Sequence, residues 1–244
     1  MASSVQDAVI LAAGNGDRFR NGSRHSKLTT PIGGTPLLIR TLTSARDAGI
    51  RDVHLVLGYD AEYVRRVATS GAPAGLRLHF YLNPQWHHEN GLSVLAARDG
   101  VAGRAFAILM GDHIFEPTAL ESLRRARRQN GEALLGVDRA TTAPDIVAEA
   151  TKVQMVADRV TAIGKAVHPF DALDTGLFVC DDALFTALSE SCSGGDTTLS
   201  AGVARLAAVQ LVRGVDIGRA RWCDVDTIDD LTMAEELTQL APAT

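Results

Sequence analysis

Four apolar runs in the first half of the chain constrain its fold most: DAVILAA (7–13), DVHLVLG (52–58), LRLHFYL (76–82) and RAFAILMG (104–111). Helical patterns at 36–49, 60–69 and 91–99 lie between them. Continuous apolar strands that alternate with helices predict a parallel sheet covered on both faces. Ligands of such sheets sit at the C-terminal ends of the strands. The rule gathers three loops, 13–27, 83–90 and 111–116, on one rim.

The second half changes character. GEALLGVDR (131–139), the stretch 149–165 with a turn near Asp158, and ALDTGLFVC (172–180) read as β segments. Helices are predicted at 181–190 and 198–208, then strands in VQLVRG and ARWCDVD. TIDDLTMAEELTQL reads as a capped terminal helix, with Thr227 as N-cap and Asp230 as the acid three residues on. With no linker or repeat, the expectation is one α/β domain over 1–244. Its sheet is Rossmann-like, mixed and mostly parallel, with helices on both faces. A nucleotide-binding half (about 1–115) and a substrate-binding half (about 116–244) flank a cleft.

Composition excludes several roles. A net charge of −5 supplies no global field for nucleic acid or anionic membrane, so anionic ligands need local groups. The basic run LRRARRQ (123–129) lacks interleaved aromatics and reads as a solvated helix face. Cys180, Cys192 and Cys223 are odd in number and far apart, which suits core thiols in a reducing cytoplasm. The N-terminus has no basic leader, and no apolar window nears about 20 residues, so no membrane insertion is expected.

The first strand opens into a loop, AAGNGDRF, in which Gly14 and Gly16 let backbone N–H groups approach phosphate oxygens. Phe19 stands where a dinucleotide fingerprint has its third glycine, and no acid ends the second strand, which argues against NAD. Arg18 and Lys27 can supply positive charge; as lone features they equally suit solvated cations. Asp60 reads as a helix cap. Asp112, at the end of the fourth strand, suits Mg²⁺, which takes one or two protein carboxylates plus phosphates and waters, but also suits a turn. Asp224 and Asp226, two apart, would face one side of an extended segment and could complete the site; an acidic helix start is the alternative. His113 lacks any partner at metal-ligand spacing, and His87 and His88 read as surface groups. Lys165, after a β turn, can reach a phosphate as a point charge.

Taken together, LAAGNGDRF…SKLTTPIGGTPLL resembles the signature of the sugar-phosphate nucleotidylyltransferases, and LMGDHIFE resembles their metal-binding segment. NPQWHHENGLSVLAAR, EATKVQMVADRVTAIGK, DTGLFV and WCDVDT are most similar to the CTP:inositol-1-phosphate cytidylyltransferases. The resemblance covers roughly residues 5 to 238. It implies a nucleotide-diphospho-sugar transferase fold and Mg²⁺-dependent transfer from CTP to a phosphorylated polyol. Leu11, Ala12, Ala13 and Gly14 would frame base and ribose, with Asn90, Gly91 and Ser93 nearby. Gly16, Asp17 and Arg18 would wrap the triphosphate, held by Arg18 and Lys27. Asp112 and Asp224, with Asp226 as a third candidate, would hold Mg²⁺. Lys165 would contact the acceptor phosphate, and Asp174, Thr175 and Gly176 would line its pocket. Ser26 replaces the usual proline before Lys27, and Gly164 the glutamate common before the lysine.

Other acceptors (phosphocholine, a phosphonate, a sugar or cyclitol phosphate), another NTP, and a non-catalytic nucleotide-binding regulator stand as rivals. A homodimer is compatible with the sequence. Fusions to a membrane synthase occur in the family resembled; none is read here, so such a partner is expected as a separate chain.

Overall fold

The computed structural model describes residues 5–16, Phe19, 25–228 and 230–239. The chain runs β1 (Asp7–Ala12), a 3-10 turn (Lys27–Thr29), β2 (Pro31–Ile32), β3 (Thr35–Pro36), α1 (Leu37–Asp47), β4 (Asp52–Leu57), α2 (Ala61–Gly71), β5 (Arg77–Leu82), α3 (Gly91–Ala96), α4 (Arg98–Val101) and β6 (Phe106–Met110). It continues through β7 (His113–Phe115), α5 (Pro117–Arg125), β8 (Ala133–Asp138), α6 (Pro144–Glu149), β9 (Lys152–Val156), β10 (Arg159–Gly164) and β11 (Ala172–Cys180). Last come α7 (Asp182–Ser193), α8 (Leu199–Ala208), β12 (Val212–Asp216), β13 (Trp222–Asp224) and α9 (Asp230–Gln239).

Nine strands form one sheet in the order β5-β4-β1-β6-β11-β8-β12-β10-β9. The ladders β5–β4, β4–β1 and β1–β6 are parallel, as the βα alternation predicts. Beyond β6 the sheet is mixed: β11 runs antiparallel to both β6 and β8, while β12 is parallel to β8. The antiparallel β11 is decisive for the site, because it brings its N-terminal end to the rim where β1, β4 and β6 finish.

Alternate residues of the central strands feed two cores. Ile10, Leu55, Leu109 and Val179 pack with α1, α2, α5 and α9 on one face. Val9, Val56, Ile108 and Phe178 pack with α3, α4, α7 and α8 on the other. Both faces being dry explains why these strands read as unbroken apolar runs.

Several expectations differ in detail. The helical pattern at 91–99 is two short helices, α3 and α4, broken at Ala97. Asp60 does sit before α2, but in the left-handed region (φ 51°) with no capping bond. Its carboxylate instead accepts from the Ser26 N–H (3.2 Å) and lies 3.0 Å from His25 Nδ1. Proline at 26 could not make that bond, so the departure from the usual signature has a local use. The basic run is less solvated than its pattern suggests. Arg124 bonds the carbonyls of Val5 and Ala48, and Arg128 pairs with Asp181 (2.7 Å). At the last helix, Asp230 accepts from the Thr227 N–H (2.7 Å) and hydroxyl (2.9 Å). That is the backward half of the expected capping box.

Candidate active site

One small ladder builds the site beyond the rim. After β6 the chain turns at Gly111, whose N–H bonds the Leu11 carbonyl (3.0 Å). A Cβ at 111 would lie 2.7 Å from that oxygen, so only glycine lets β6 close on β1 here. The next residues, Asp112 and His113, lead into β7, which pairs antiparallel with β13 and sets Asp224 opposite His113. The Val225 N–H then bonds the Asp112 carbonyl (3.1 Å). Backbone pairing thus carries residues 224–226 onto 112–113 from more than a hundred positions away.

The side chains meet as a charged cluster. Lys27 is only 8% exposed. Its ammonium lies 2.8 Å from Asp112 Oδ2 and 2.6 Å from Asp226 Oδ1, and donates to the Val225 carbonyl at 3.0 Å. Burial opposes the lysine charge, but the two facing carboxylates raise its pKa above the ordinary value. Burial likewise opposes ionisation of Asp112; Lys27, with His113, holds its carboxyl below the usual range.

His113 is buried, with Nδ1 3.0 Å from the Thr175 carbonyl and Nε2 3.6 Å from Asp224 Oδ1. A carbonyl only accepts, so Nδ1 carries a proton. Burial would neutralise the ring, but Asp224 above all, then Asp112 and the Thr175 carbonyl, lift its pKa to about 9. Three carboxylates therefore face two cations, leaving one negative charge in excess.

That excess suits a divalent cation. Ligand atoms of Asp112, His113 and Asp224 all lie within 4.8 Å of one another. Asp224 Oδ1 is buried and has no hydrogen-bond partner among the described residues, the condition of an oxygen awaiting a ligand. Mg²⁺ prefers oxygen donors, so Asp112 and Asp224 are the residues that would hold it. Asp226 faces the same cluster, turned to Lys27.

Beside His113 lies the N-terminal half of β11, which carries Asp174, Thr175 and Gly176. Its register with β8 shifts between Asp174 and Phe178, a bulge of the kind that re-aims a side chain. Gly176 takes φ +74°, and a Cβ there would lie 2.6 Å from the His113 ring. Asp174 accepts from the Gly176 N–H (2.8 Å), and burial pushes its pKa up to about 6. Thr175 is buried, its hydroxyl donating to the Gly136 carbonyl (2.8 Å).

Around the opening loop, Leu11 and Ala12 end β1, Ala13 accepts from the Tyr59 N–H (2.9 Å), and Gly14 is exposed with open space at its Cβ position. Gly16 (φ +62°) lies against the Lys27 stem, 2.9 Å from where a Cβ would stand. Asp17 and Arg18 lie outside the described residues. Lys165 is exposed and makes no ion pair or hydrogen bond among the described residues.

Asn90, Gly91 and Ser93 have evident packing roles. Asn90 Oδ1 accepts from the Leu199 N–H (2.8 Å), at the start of α8. Gly91 bonds the Thr197 carbonyl (2.9 Å), with no room for a Cβ, and Ser93 Oγ accepts from Asn83 (2.9 Å). The sequence reading set His113 aside for want of a partner at ligand spacing. Its partners come from β11 and β13 rather than from a neighbouring turn of helix, so no short spacing could signal it. Trp222, which stacks on His113 (centroids 6.0 Å apart) and donates to Asp138 (2.9 Å), was missed.

Comparisons with known proteins give the family. The MobA-like NTP transferase domain family matches residues 8–188. The bifunctional IPC transferase and DIPP synthase of Rubrobacter xylanophilus is 36% identical over 233 residues, covering 94% of this chain and 51% of that protein. The like-named protein of Thermococcus kodakarensis is 34% identical over 235 residues, covering 94% and 50%. CMP-5'-(3-aminopropyl)phosphonate synthase of Streptomyces rubellomurinus is 32% identical over 243 residues, covering 93% and 38%. The chain thus spans about half the length, or less, of these curated relatives. The inositol-1-phosphate CTP transferase of T. maritima superposes with a TM-score of 0.87 at 25% identity, over 100% of both chains. UDP-glucose pyrophosphorylase of Acinetobacter baumannii shares the fold, with a TM-score of 0.79 at 18% identity over 95% of this chain and 92% of that one. No helix among the described residues is long and apolar enough to cross a membrane. A rim-bound cluster of acids and a lysine, a glycine loop ahead of it and a family match over most of the sequence lead to one statement: the chain belongs to the MobA-like NTP transferase domain family.

Proposed function

We propose that the protein transfers a cytidylyl group from CTP to inositol 1-phosphate, giving CDP-inositol and pyrophosphate. The observation that carries the reading is the convergence of Lys27, Asp112 and Asp224 at the C-terminal rim, in a chain whose relatives are named for this chemistry. An oxygen of the acceptor phosphate attacks the α-phosphorus in line, that P–O bond forms, and the bond to the β-phosphate oxygen breaks.

Both reactants are anions. Two unit charges 4 Å apart repel by about 1 kcal/mol in water and about 4 kcal/mol at an effective dielectric near 20. Neutralisation is therefore the main task, and no general base is needed because the attacking phosphate is already ionised near neutral pH. Bound Mg²⁺, held by Asp112 and Asp224, would supply charge neutralisation at the reacting phosphates. Lys27 and Arg18 offset charge growing on pyrophosphate. Gly14, Gly16 and Asp17 offer backbone to the triphosphate, and the segment Leu11–Ala13 borders the base. Asn90, Gly91 and Ser93 would stabilise the wall beside the nucleotide. Lys165 reaches the acceptor phosphate; Asp174 faces its hydroxyls, while Thr175 and Gly176, both buried, shape the pocket behind it. A CTP-consuming enzyme with unpaired thiols at 180, 192 and 223 suits the cytoplasm.

A phosphonate acceptor is the second reading, favoured by the 32% identity to the aminopropylphosphonate enzyme. Pyrophosphate release with CTP, GTP, UTP and dTTP against inositol 1-phosphate, phosphocholine and an aminoalkylphosphonate separates the two. Release with CTP and inositol 1-phosphate above every other pair is expected. No release with CTP and any acceptor would leave only a nucleotide-binding role.

A further inference from the structure

Lys27 puts a positive charge on Asp112 before any ligand arrives. An ammonium has three N–H donors, and here three oxygens receive them, from Asp112, Asp226 and Val225. The aliphatic stem is pinned beside Gly16, whose missing Cβ makes the space it fills. The lysine is thus buried, fully partnered and rotamerically fixed. One of its partners, Asp112 Oδ2, belongs to the carboxylate that a divalent ion also needs. Beside Asp112, with ligand atoms of the two residues within 4.8 Å, Asp224 Oδ1 is left buried with no hydrogen-bond partner among the described residues.

We infer that Lys27 is an internal counter-cation that holds the Asp112 seat in the ligand-free protein, with Asp226 as its dock. A free divalent ion enters weakly until the phosphates of a bound nucleotide draw the ammonium away. Asp226 is then a positioning residue that acts through Lys27 and not a metal ligand. The coupling is reciprocal: whatever draws Lys27 off Asp112 strengthens the metal site, and a metal on Asp112 releases Lys27 toward phosphate. The inference rests on the proposed nucleotidyl-transfer reading and assigns a gating step within it.

The test is binding of MnCl₂ alone, with no nucleotide, followed by electron paramagnetic resonance of the unbound ion. Wild type, K27M, D112N, D226N and the double variant K27M/D112N are compared. K27M keeps the stem and removes the charge, and should bind Mn²⁺ at least about 10-fold more tightly than wild type. Loss of that gain in K27M/D112N ties it to Asp112. D226N leaves the ammonium on Asp112 and removes a negative charge, so it should bind Mn²⁺ no more tightly than wild type. A merely structural role for the lysine would move K27M and D226N together, since both untie the same segment. An unchanged or weakened affinity in K27M, or an equal gain in D226N, overturns the assignment while Asp112-dependent binding in wild type preserves the metal site. Absence of Mn²⁺ binding from every variant at millimolar concentration overturns both. Circular dichroism checks folding, and K27Q, which is neutral but can still donate to Asp226, replaces K27M if that variant does not fold.

Discussion

Asp174 is held in a place that does not favour its charge. Its carboxylate sits at the β11 bulge and accepts the Gly176 N–H at 2.8 Å. Burial outweighs that bond and the nearby His113, and lifts the pKa from 3.8 to about 6. At about 1.4 kcal/mol per pH unit the rise corresponds to about 3 kcal/mol. Partial solvent access discounts it to about 1–2 kcal/mol. The sign follows from proton linkage. Between about pH 4 and pH 6 the folded chain binds more protons at this group than the unfolded chain. Its stability contribution is therefore present below pH 4 and lost as pH rises through 6.

Asn at this position has no charge to lose and can still accept from Gly176. D174N should thus be more stable than wild type at pH 7.5 by about 1–2 kcal/mol, or about 2–8 °C in Tm for a chain of this size. The difference should shrink toward zero at pH 4. Thermal or urea melts of both proteins at pH 4.5, 6 and 7.5, without ligands, measure it. A difference that does not depend on pH, or a D174N protein less stable at pH 7.5, refutes the reasoning. If the same carboxylate receives acceptor hydroxyls, D174N also raises KM for inositol 1-phosphate and leaves that for CTP near wild type. A residue kept for function would then show a stability cost.

Three further outcomes test the site. D112A should lose turnover by about 10³-fold or more in a pyrophosphate-release assay, yet stay folded, because Lys27 keeps Asp226 and the Val225 carbonyl as partners. G176A should lose about 2 kcal/mol or more in denaturant melts, since it adds a left-handed alanine to a Cβ contact of 2.6 Å with the His113 ring. N90A should lose about 1 kcal/mol, the worth of a helix cap, through its lost bond to Leu199; a KM for CTP that rises more than this accounts for would add direct nucleotide contact to its packing role.

The strands and the loops on their rim were legible because burial on both faces leaves an apolar record in the sequence. Asp112 and the glycine loop follow from that record, since each ends a run. The cluster's other members were only half legible. Extended geometry suggested that Asp224 and Asp226 face one side, and both do turn to the cluster. Their division of labour, Asp224 toward His113 and Asp226 onto Lys27, depends on β13 ending at Asp224 and on the β13–β7 register. A ladder of three residues per strand, far apart in the chain, leaves no periodicity to read. His113 was set aside for the same reason: its neighbours are set by tertiary pairing, not by any local spacing.

Asp60 shows the opposite failure, where a local rule worked too well. Its place before α2 predicted a cap, and local chemistry gave no hint that Ser26, 34 positions back, would compete for the carboxylate. The competition has a consequence for the site. Ser26 immediately precedes Lys27, so the Asp60 bond fixes the backbone just before the lysine. Asp226 and Asp112 fix its far end. The lysine is held at both ends by carboxylates from separate elements, and only the far-end contacts lie where a phosphate would come. An arriving anion can therefore exchange the partners of the ammonium without disturbing the anchor of its backbone. Under the inferred gating, that arrangement would let one lysine serve first as a stand-in cation and then as a phosphate ligand, with its backbone anchor already in place.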